Sequence, residues 1–364
     1  MECLEKPIWN KYTRIELEKL SIKEPDEENK KKVKKNWDSI AKPIDSMGKF
    51  ESLTAQIGAI CRTDKIDISK KAVIIMCADN GVVEEGISQS GQDVTLAVAK
   101  SMAKKQSSVG IMAKTIGAET IPVDIGINSD EQICGVLDRK IRRGTRNFYK
   151  DPAMTEEETI RAIAVGIDMV FRCKENGINI LATGEMGIGN TTTSSAIAAS
   201  LLRCDVKRVT GRGAGLSDDG LLRKQKVISE AIKKYDLYNA DALTVLTTVG
   251  GLDIAGLVGV CMGGAIFNIP IVLDGVISMA AALVAEKLLP GTKDYLIPSH
   301  KGKEVAVEML MKELEIEPVI DGNLALGEGT GAIMMFSLLD MAMSIYNTRT
   351  TFSDILIDQY ERFK

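Results

Sequence analysis

The sequence predicts an α/β protein built on a largely parallel sheet with flanking helices, from two observations. Short apolar runs rich in β-branched residues alternate with longer helical stretches along most of the chain, the pattern of strand–helix–strand units. Several of those runs also end alike, on glycine beside an acid or amide: Asp79-Asn80-Gly81, Gly184-Glu185 and Asp274-Gly275. In parallel sheets ligands bind outside the carboxyl ends of the strands, so function is expected at these endings.

The elements follow in order. Residues 13–36 are charged and helical, interrupted near Pro25. There the run Lys30, Lys31, Lys32, Lys34 and Lys35 lies beside Glu27 and Glu28 and reads as a solvated helix face, not a polyanion patch. Strands are expected at 72–77 and 119–123, with a helix over 95–116 between them. A helix at 156–175 leads to a strand at 178–182, and the loop after it opens a helix at 196–202. Val209 and Thr210 make a weak strand candidate. The stretch Gly211-Arg212-Gly213-Ala214-Gly215 precedes Ser217-Asp218-Asp219 and the helix holding Lys224. Residues 254–273 carry no charge, long enough to span a membrane. Asn268 and Pro270 read as a turn, however, dividing the segment into a helix and a buried strand at 269–274. An apolar helix at 333–345 follows. Both terminal segments are helical and lack strand-end motifs, so a small accessory layer from the two ends is expected. There is no internal repeat or low-complexity linker.

Composition narrows the chemistry. The 364 residues, 45% apolar and 26% charged, are those of an ordinary globular protein of one large domain or two. Lys+Arg number 46 against 50 Asp+Glu, which lacks the basic surplus of a nucleic-acid binder. The single histidine, His300, excludes sites that need two or more. Acid–base work therefore falls to carboxylates. Cys3, Cys61, Cys77, Cys134, Cys173, Cys204 and Cys261 are scattered and form no CxxC pair, reading as reduced thiols of a cytoplasmic protein. The first twenty residues lack the apolar core of a secretory signal.

The strongest local motif is Gly184-Glu185-Met186-Gly187-Ile188-Gly189-Asn190-Thr191-Thr192. Its glycines let backbone N–H groups approach an anion, and its Asn-Thr run opens a helix whose N-terminus favours phosphate. The lysine of a Walker A loop and the GxGxxG spacing are both absent, and a Thr-capped turn accounts for the spacing equally. The second motif is Leu326-Gly327-Glu328-Gly329-Thr330-Gly331. A glutamate between glycines has little packing role and is a candidate general base. It also fits a helix-opening turn with the acid near the positive end of the dipole. Asp79 and Asp274 read as loop-fixing residues or ribose contacts, and Lys224 as a phosphate partner or a surface residue. Arg139, Lys140, Arg142 and Arg143 read as a solvated loop, and His300 as a residue that caps or orients one.

Taken together these segments resemble the nicotinate-nucleotide:dimethylbenzimidazole phosphoribosyltransferase family of cobamide (vitamin B12) biosynthesis. The matching stretches begin at Lys42-Pro43 and Ser46-Met47-Gly48, then Cys77-Ala78-Asp79-Asn80-Gly81 and the 184–192 motif. Val249-Gly250-Gly251-Leu252-Asp253, Asp274-Gly275, Pro298-Ser299-His300 and the 326–331 motif complete the series, over roughly 38–352. The resemblance implies a Rossmann-like large α/β domain over 51–332 and a small helical domain from 1–50 and 333–364. It implies a dimer whose partner helps to shape each active site. The implied reaction moves the phosphoribosyl group of nicotinate mononucleotide to an aromatic base, with inversion to the α-riboside phosphate. The pyridinium is already a good leaving group, so no metal or cofactor is called for. Glu328 matches the family's catalytic glutamate. Glu185, Gly187, Gly189, Asn190 and Thr191 match its nucleotide-binding segment, and Gly213 and Lys224 fall at further phosphate and nucleotide contacts. Gly327 belongs to the catalytic loop, and Ser90 lies where a serine approaches the aromatic base.

Departures cluster on the acceptor side. Asn80 replaces a histidine, Ala325 an arginine, Gly91 a common proline, and Val98 a glutamine that lines the base pocket in typical members. A branch of the family that activates phenol and p-cresol, as a heterodimer of two related chains, fits this pattern. The sequence thus leads to a cytoplasmic phosphoribosyltransferase acting on phenol, p-cresol or dimethylbenzimidazole, with no nucleic-acid or membrane partner. The competing expectation is a non-catalytic structural or regulatory subunit supporting a catalytic paralogue.

Overall fold

The computed structural model describes residues 13–361. Thirteen α-helices are described: α1 (Arg14–Glu18), α2 (Glu27–Ser39), α3 (Lys49–Cys61), α4 (Asp93–Ala103), α5 (Ser108–Thr115), α6 (Glu156–Glu175), α7 (Asn190–Leu201), α8 (Asp218–Lys234), α9 (Ala242–Val249), α10 (Leu252–Phe267), α11 (Val276–Leu288), α12 (Val307–Leu314) and α13 (Thr330–Thr348). The strands are β1 (Lys71–Ala78), β2 (Glu119–Gly126), β3 (Leu137–Asp138), β4 (Ile180–Met186), β5 (Ile271–Leu273), β6 (Leu296–Pro298), β7 (His300–Gly302) and β8 (Ile320–Leu324). The first six form one parallel sheet in the order β3-β2-β1-β4-β5-β6, and β7 pairs with β8.

The core follows the period of the strands. Along β1, Ile74 and Met76 join one buried apolar cluster while Val73, Ile75 and Cys77 join another on the opposite face. Helix α6 starts on a capping box made by Thr155 and Glu158. Its neighbour α10 takes up 254–267 of the uncharged segment that has the length of a membrane span. Its glycines have a packing reason. A Cβ on Gly259 would lie 1.9 Å from the Ile163 carbonyl oxygen, and one on Gly166 2.0 Å from that of Gly256. The two backbones therefore touch directly. Asn268 then ends α10 in a left-handed cap, and β5 follows after Pro270. Among the described residues no helix is long and apolar enough to cross a membrane.

Two expectations are corrected. The helix expected over 95–116 is two helices, because Lys105 turns left-handed (φ +56°) and Ser107 caps a fresh N-terminus. Val209 and Thr210 are not a strand. They close a short 3-10 turn, where the Thr210 hydroxyl donates back to the Val206 carbonyl at 2.7 Å. At the chain ends, Trp37 of α2 stacks on Tyr346 of α13 with ring centroids 5.4 Å apart, and Ile40 bridges to Thr351. Cys3 lies outside the described residues, whose six cysteines are all free.

Candidate active site

Strand order reverses between the neighbours β1 and β4, the point where an open parallel sheet leaves a crevice at its carboxyl edge. A cavity of about 240 Å³ lies there, between the loop after β4, the segment Asp274 to Ser278 after β5, and the loop that enters α13. Glu185, Gly187, Asn190, Thr191, Gly213, Gly327 and Glu328 all line it. Gly189 lines an adjoining pocket of about 80 Å³.

Glu328 is presented by an unusual turn. Gly327, Glu328 and Gly329 have φ of +84°, +61° and +96°, and a left-handed glutamate costs about 1–2 kcal/mol. Buried Asp274 holds the turn by accepting hydrogen bonds from the N–H groups of Gly329 (3.1 Å), Gly331 (2.9 Å) and Ala332 (3.3 Å). Burial raises its carboxyl to about 6 while these N–H groups pull it down. Behind the turn, a Cβ on Gly184 would stand 2.5 Å from the Glu328 carbonyl oxygen, so glycine is required. Glu328 is half-buried, and its Oε2 accepts from the Val109 N–H at 3.0 Å. Oε1 makes no hydrogen bond among the described residues and is free to take a proton.

Glu185 faces this turn: a Cβ on Gly327 would come within 2.7 Å of its Oε1. The Asn190 side-chain amide donates to Glu185 Oε2 and, at 3.1 Å, to Asp253 Oδ2. Burial, with Asp253 close by, pushes the Glu185 carboxyl up to about 8. That shift favours its protonated form near pH 7.

At the other end of the cavity, a lysine stands behind the lining residue Thr191. Lys224 is fully buried in α8 and donates from Nζ to the Thr191 hydroxyl at 2.9 Å. Burial lowers its pKa to about 8, against the opposing charge of Glu304. A Cβ on Gly213 (φ +54°) would sit 2.7 Å from Thr191 Oγ1 and 3.6 Å from Lys224 Nζ, so these three residues meet. The loop between β4 and α7 is gripped from below. Ile188 N–H donates to Thr95 Oγ1 at 3.2 Å, and the Asn80 amide donates to the Ile188 carbonyl at 3.3 Å. The amide cradle is smaller than the motif suggests. Asn190 N–H and Thr192 N–H bond back to the carbonyls of Gly187 and Gly189, so these two donors are already occupied.

Ser90 and Val98 do not line this cavity. Both are half-buried, and Val98 packs against the apolar cluster on one face of the sheet. Asp79 fixes a loop, accepting from Asn128 N–H at 2.8 Å. The basic run near 140 makes ion pairs: Lys140 with Asp124, Arg142 with Glu158, and Arg143 with Asp130. His300 lies on the cavity wall, its Nδ1 2.9 Å from the Ser299 hydroxyl, which donates to the Leu273 carbonyl. Burial lowers its pKa. Ser278, Thr95 and Glu304 are contributors that no local motif marks, because only the fold brings them here. Among the described residues one acidic group, Asp38, Asp45 and Glu51, is close enough to hold an ion. It lies away from the cavity, and Glu51 there already pairs with Lys42 at 2.6 Å.

Known proteins resemble this chain over most of its length. The family model described as "Phosphoribosyltransferase" matches residues 22–357. The nicotinate-nucleotide–dimethylbenzimidazole phosphoribosyltransferase of Clostridium perfringens (strain 13 / Type A) is 42% identical over 327 residues, covering 90% of this chain and 91% of that protein. The protein of the same name from Acetivibrio thermocellus is 44% identical over 332 residues, covering 90% and 94%. The crystal structure of CobT from Thermus thermophilus superposes with a TM-score of 0.87 at 32% identity, covering 92% of this chain and all of that one. On sequence and fold alike, the chain belongs to the nicotinate-nucleotide–dimethylbenzimidazole phosphoribosyltransferase family.

Proposed function

We propose that the chain is a cytoplasmic enzyme of cobamide nucleotide-loop biosynthesis. It transfers the phosphoribosyl group of nicotinate mononucleotide to an aromatic acceptor. One observation carries this reading: Glu328, Glu185, Thr191 and Gly213 line a single cavity at the sheet's switch point, with buried Lys224 behind Thr191. The 5′-phosphate pairs with Lys224 and the Thr191 hydroxyl at one end. Protonated Glu185 donates to a ribose oxygen, and Glu328 Oε1 takes the acceptor's proton as it attacks the anomeric carbon. Attack from the face opposite the leaving nicotinate inverts that carbon to the α-riboside phosphate, and holding both partners in line supplies much of the acceleration.

Phenol or p-cresol is the proposed acceptor, with dimethylbenzimidazole, named for the relatives, as the other candidate. The support for this choice is in the sequence alone: Val98, where the family resemblance expects a glutamine of the base pocket, is apolar, and it lies outside the cavity described above. A phenol asks only for one hydroxyl near a base. A homologous partner chain belongs to this reading. Met334, Met341 and Ile345 form an exposed apolar stripe on α13, and Leu326, two residues before Glu328, is 57% exposed. A product assay by mass spectrometry, with each acceptor supplied separately to the chain alone and with a paralogue, tests the choice. The expected product is phenyl α-riboside phosphate; turnover of dimethylbenzimidazole but never of phenol refutes the phenolic reading.

A further inference from the structure

Below the loop after β4, the buried side chains of Asn80, Asn190 and Asp253 meet. The Asn190 amide joins two acids, donating to Glu185 Oε2 and, at 3.1 Å, to Asp253 Oδ2. Asp253 is the second residue of α10 and is fully buried. No lysine or arginine pairs with it among the described residues, and its other oxygen, Oδ1, has no hydrogen-bond partner. What faces that oxygen is another acceptor. A Cβ on Gly251 would stand 2.4 Å from Asp253 Oδ1 and 2.4 Å from Asn80 Oδ1. The Asn80 oxygen, equally buried, is also unpartnered. Two buried acceptors set against each other, one of them on an acid without a cation, cost stability. An amide of the same shape would satisfy both, so it is the charge of Asp253 that calls for a function.

We infer that Asp253 is a positioning residue for the phosphoribosyl transfer: across the shared Asn190 amide, its charge holds Glu185 as a hydrogen-bond donor turned toward the substrate. This rests on the protonated Glu185 of the reaction proposed above and supplies its cause. With Oε2 held by Asn190, Oε1 is the oxygen left facing Gly327 and the cavity. The titratable groups that face Glu185 are Asp253 on α10, Asp274 after β5, Glu328 before α13 and the Cys77 thiol of β1. Burial pushes that thiol up and keeps it protonated. Asp274 is engaged by the N–H groups of α13, and Glu328 by the Val109 N–H. Only Asp253 among them shares a donor with Glu185. Asp79 is the further acid acting on Asp253. Burial raises both carboxyls, that of Glu185 further, while Asn190 and the N–H groups opening α10 hold Asp253 down. One proton therefore suits the pair, and it lies on Glu185.

The test follows the infrared carbonyl band of the protonated Glu185 carboxyl through a pH titration of the whole chain. The band is identified by its absence in Glu185→Gln. Asp253→Asn keeps the shape, removes the charge and can turn its NH2 to the unpartnered Asn80 oxygen, so it should melt no lower than wild type. In wild type the Glu185 band should be present at pH 7 and fade as pH rises. In Asp253→Asn it should fade about one pH unit lower or more, because the neighbouring like charge that disfavoured ionisation is gone. A merely structural role would leave that midpoint in place. An unmoved midpoint, or an asparagine variant that melts well below wild type, overturns the inference. A wild-type spectrum without any band that Glu185→Gln removes overturns the protonated Glu185 on which the inference rests, an outcome distinct from an unmoved midpoint.

Discussion

Replacing Asp274 by asparagine isolates what holds the Glu328 turn. One carboxylate oxygen accepts from Gly331 and Ala332 and the other from Gly329. An asparagine of the same shape serves one side and sets an NH2 against an N–H on the other. It also removes the charge from the contacts that remain. Bonds to a charged acceptor are worth about 1.5–3 kcal/mol each. Losing one and weakening two should therefore release about 2–4 kcal/mol of restraint, more than the 1–2 kcal/mol of strain that a left-handed Glu328 carries. If the turn relaxes, turnover should fall about 30- to 1000-fold. Donor affinity should stay within about threefold, because Lys224 and Thr191 are untouched. Steady-state kinetics at saturating acceptor, titration of the donor and a melting curve measure all three. The same logic sets a pH dependence. Asp274 must be ionised to hold the turn and its carboxyl sits near 6, so wild-type turnover should decline as pH falls through that value. The asparagine variant should lack this acid limb. Wild-type turnover and an unchanged melting point in Asp274→Asn would refute the argument.

Three further outcomes follow from the same geometry. Glu328→Gln keeps the shape but removes the proton acceptor, so turnover should drop about 10²–10⁴-fold while nucleotide titration stays unchanged. Gly189→Val forces a side chain onto a φ of +95°, where a Cβ already lies 2.8 Å from Val83, and calorimetry should show weaker donor binding. Lys224 is a base with a lowered pKa near 8, cationic below that value and neutral above it. Donor affinity should therefore be full at pH 7 and about tenfold lower at pH 9, a loss that Lys224→Arg should abolish if the variant folds.

What the sequence could and could not foretell has a physical pattern. The sheet was legible because Ala72 to Cys77 and Ile180 to Ala182 are buried on both faces and so read as unbroken apolar runs. The glycines of α10 imitate a membrane span in one dimension and make sense only against Gly166 and Ile163 of α6, about ninety residues away. The break between α4 and α5 turns on one left-handed lysine, which no pattern of apolar spacing reveals. Glu328 and the loop after β4 stood out because their close backbone approaches at Gly184 and Gly327 require glycines, and glycines are visible. Ser278 did not stand out, since an isolated serine in an apolar helix has no signature until the fold leaves its hydroxyl without a partner. Asp274 was read as a loop-fixing acid, and the loop it fixes is the one carrying Glu328.

Proton and carbon NMR of the product formed from nicotinate mononucleotide and the accepted aromatic base is the most direct measurement. The proposed reaction, with the phosphate at the Thr191 end and the acceptor's proton taken by Glu328, displaces nicotinate in line. The expected result is one free nicotinate per riboside phosphate, with the anomeric carbon entirely in the α configuration. A β-configured product, or nicotinate released with ribose 5-phosphate alone, would contradict it.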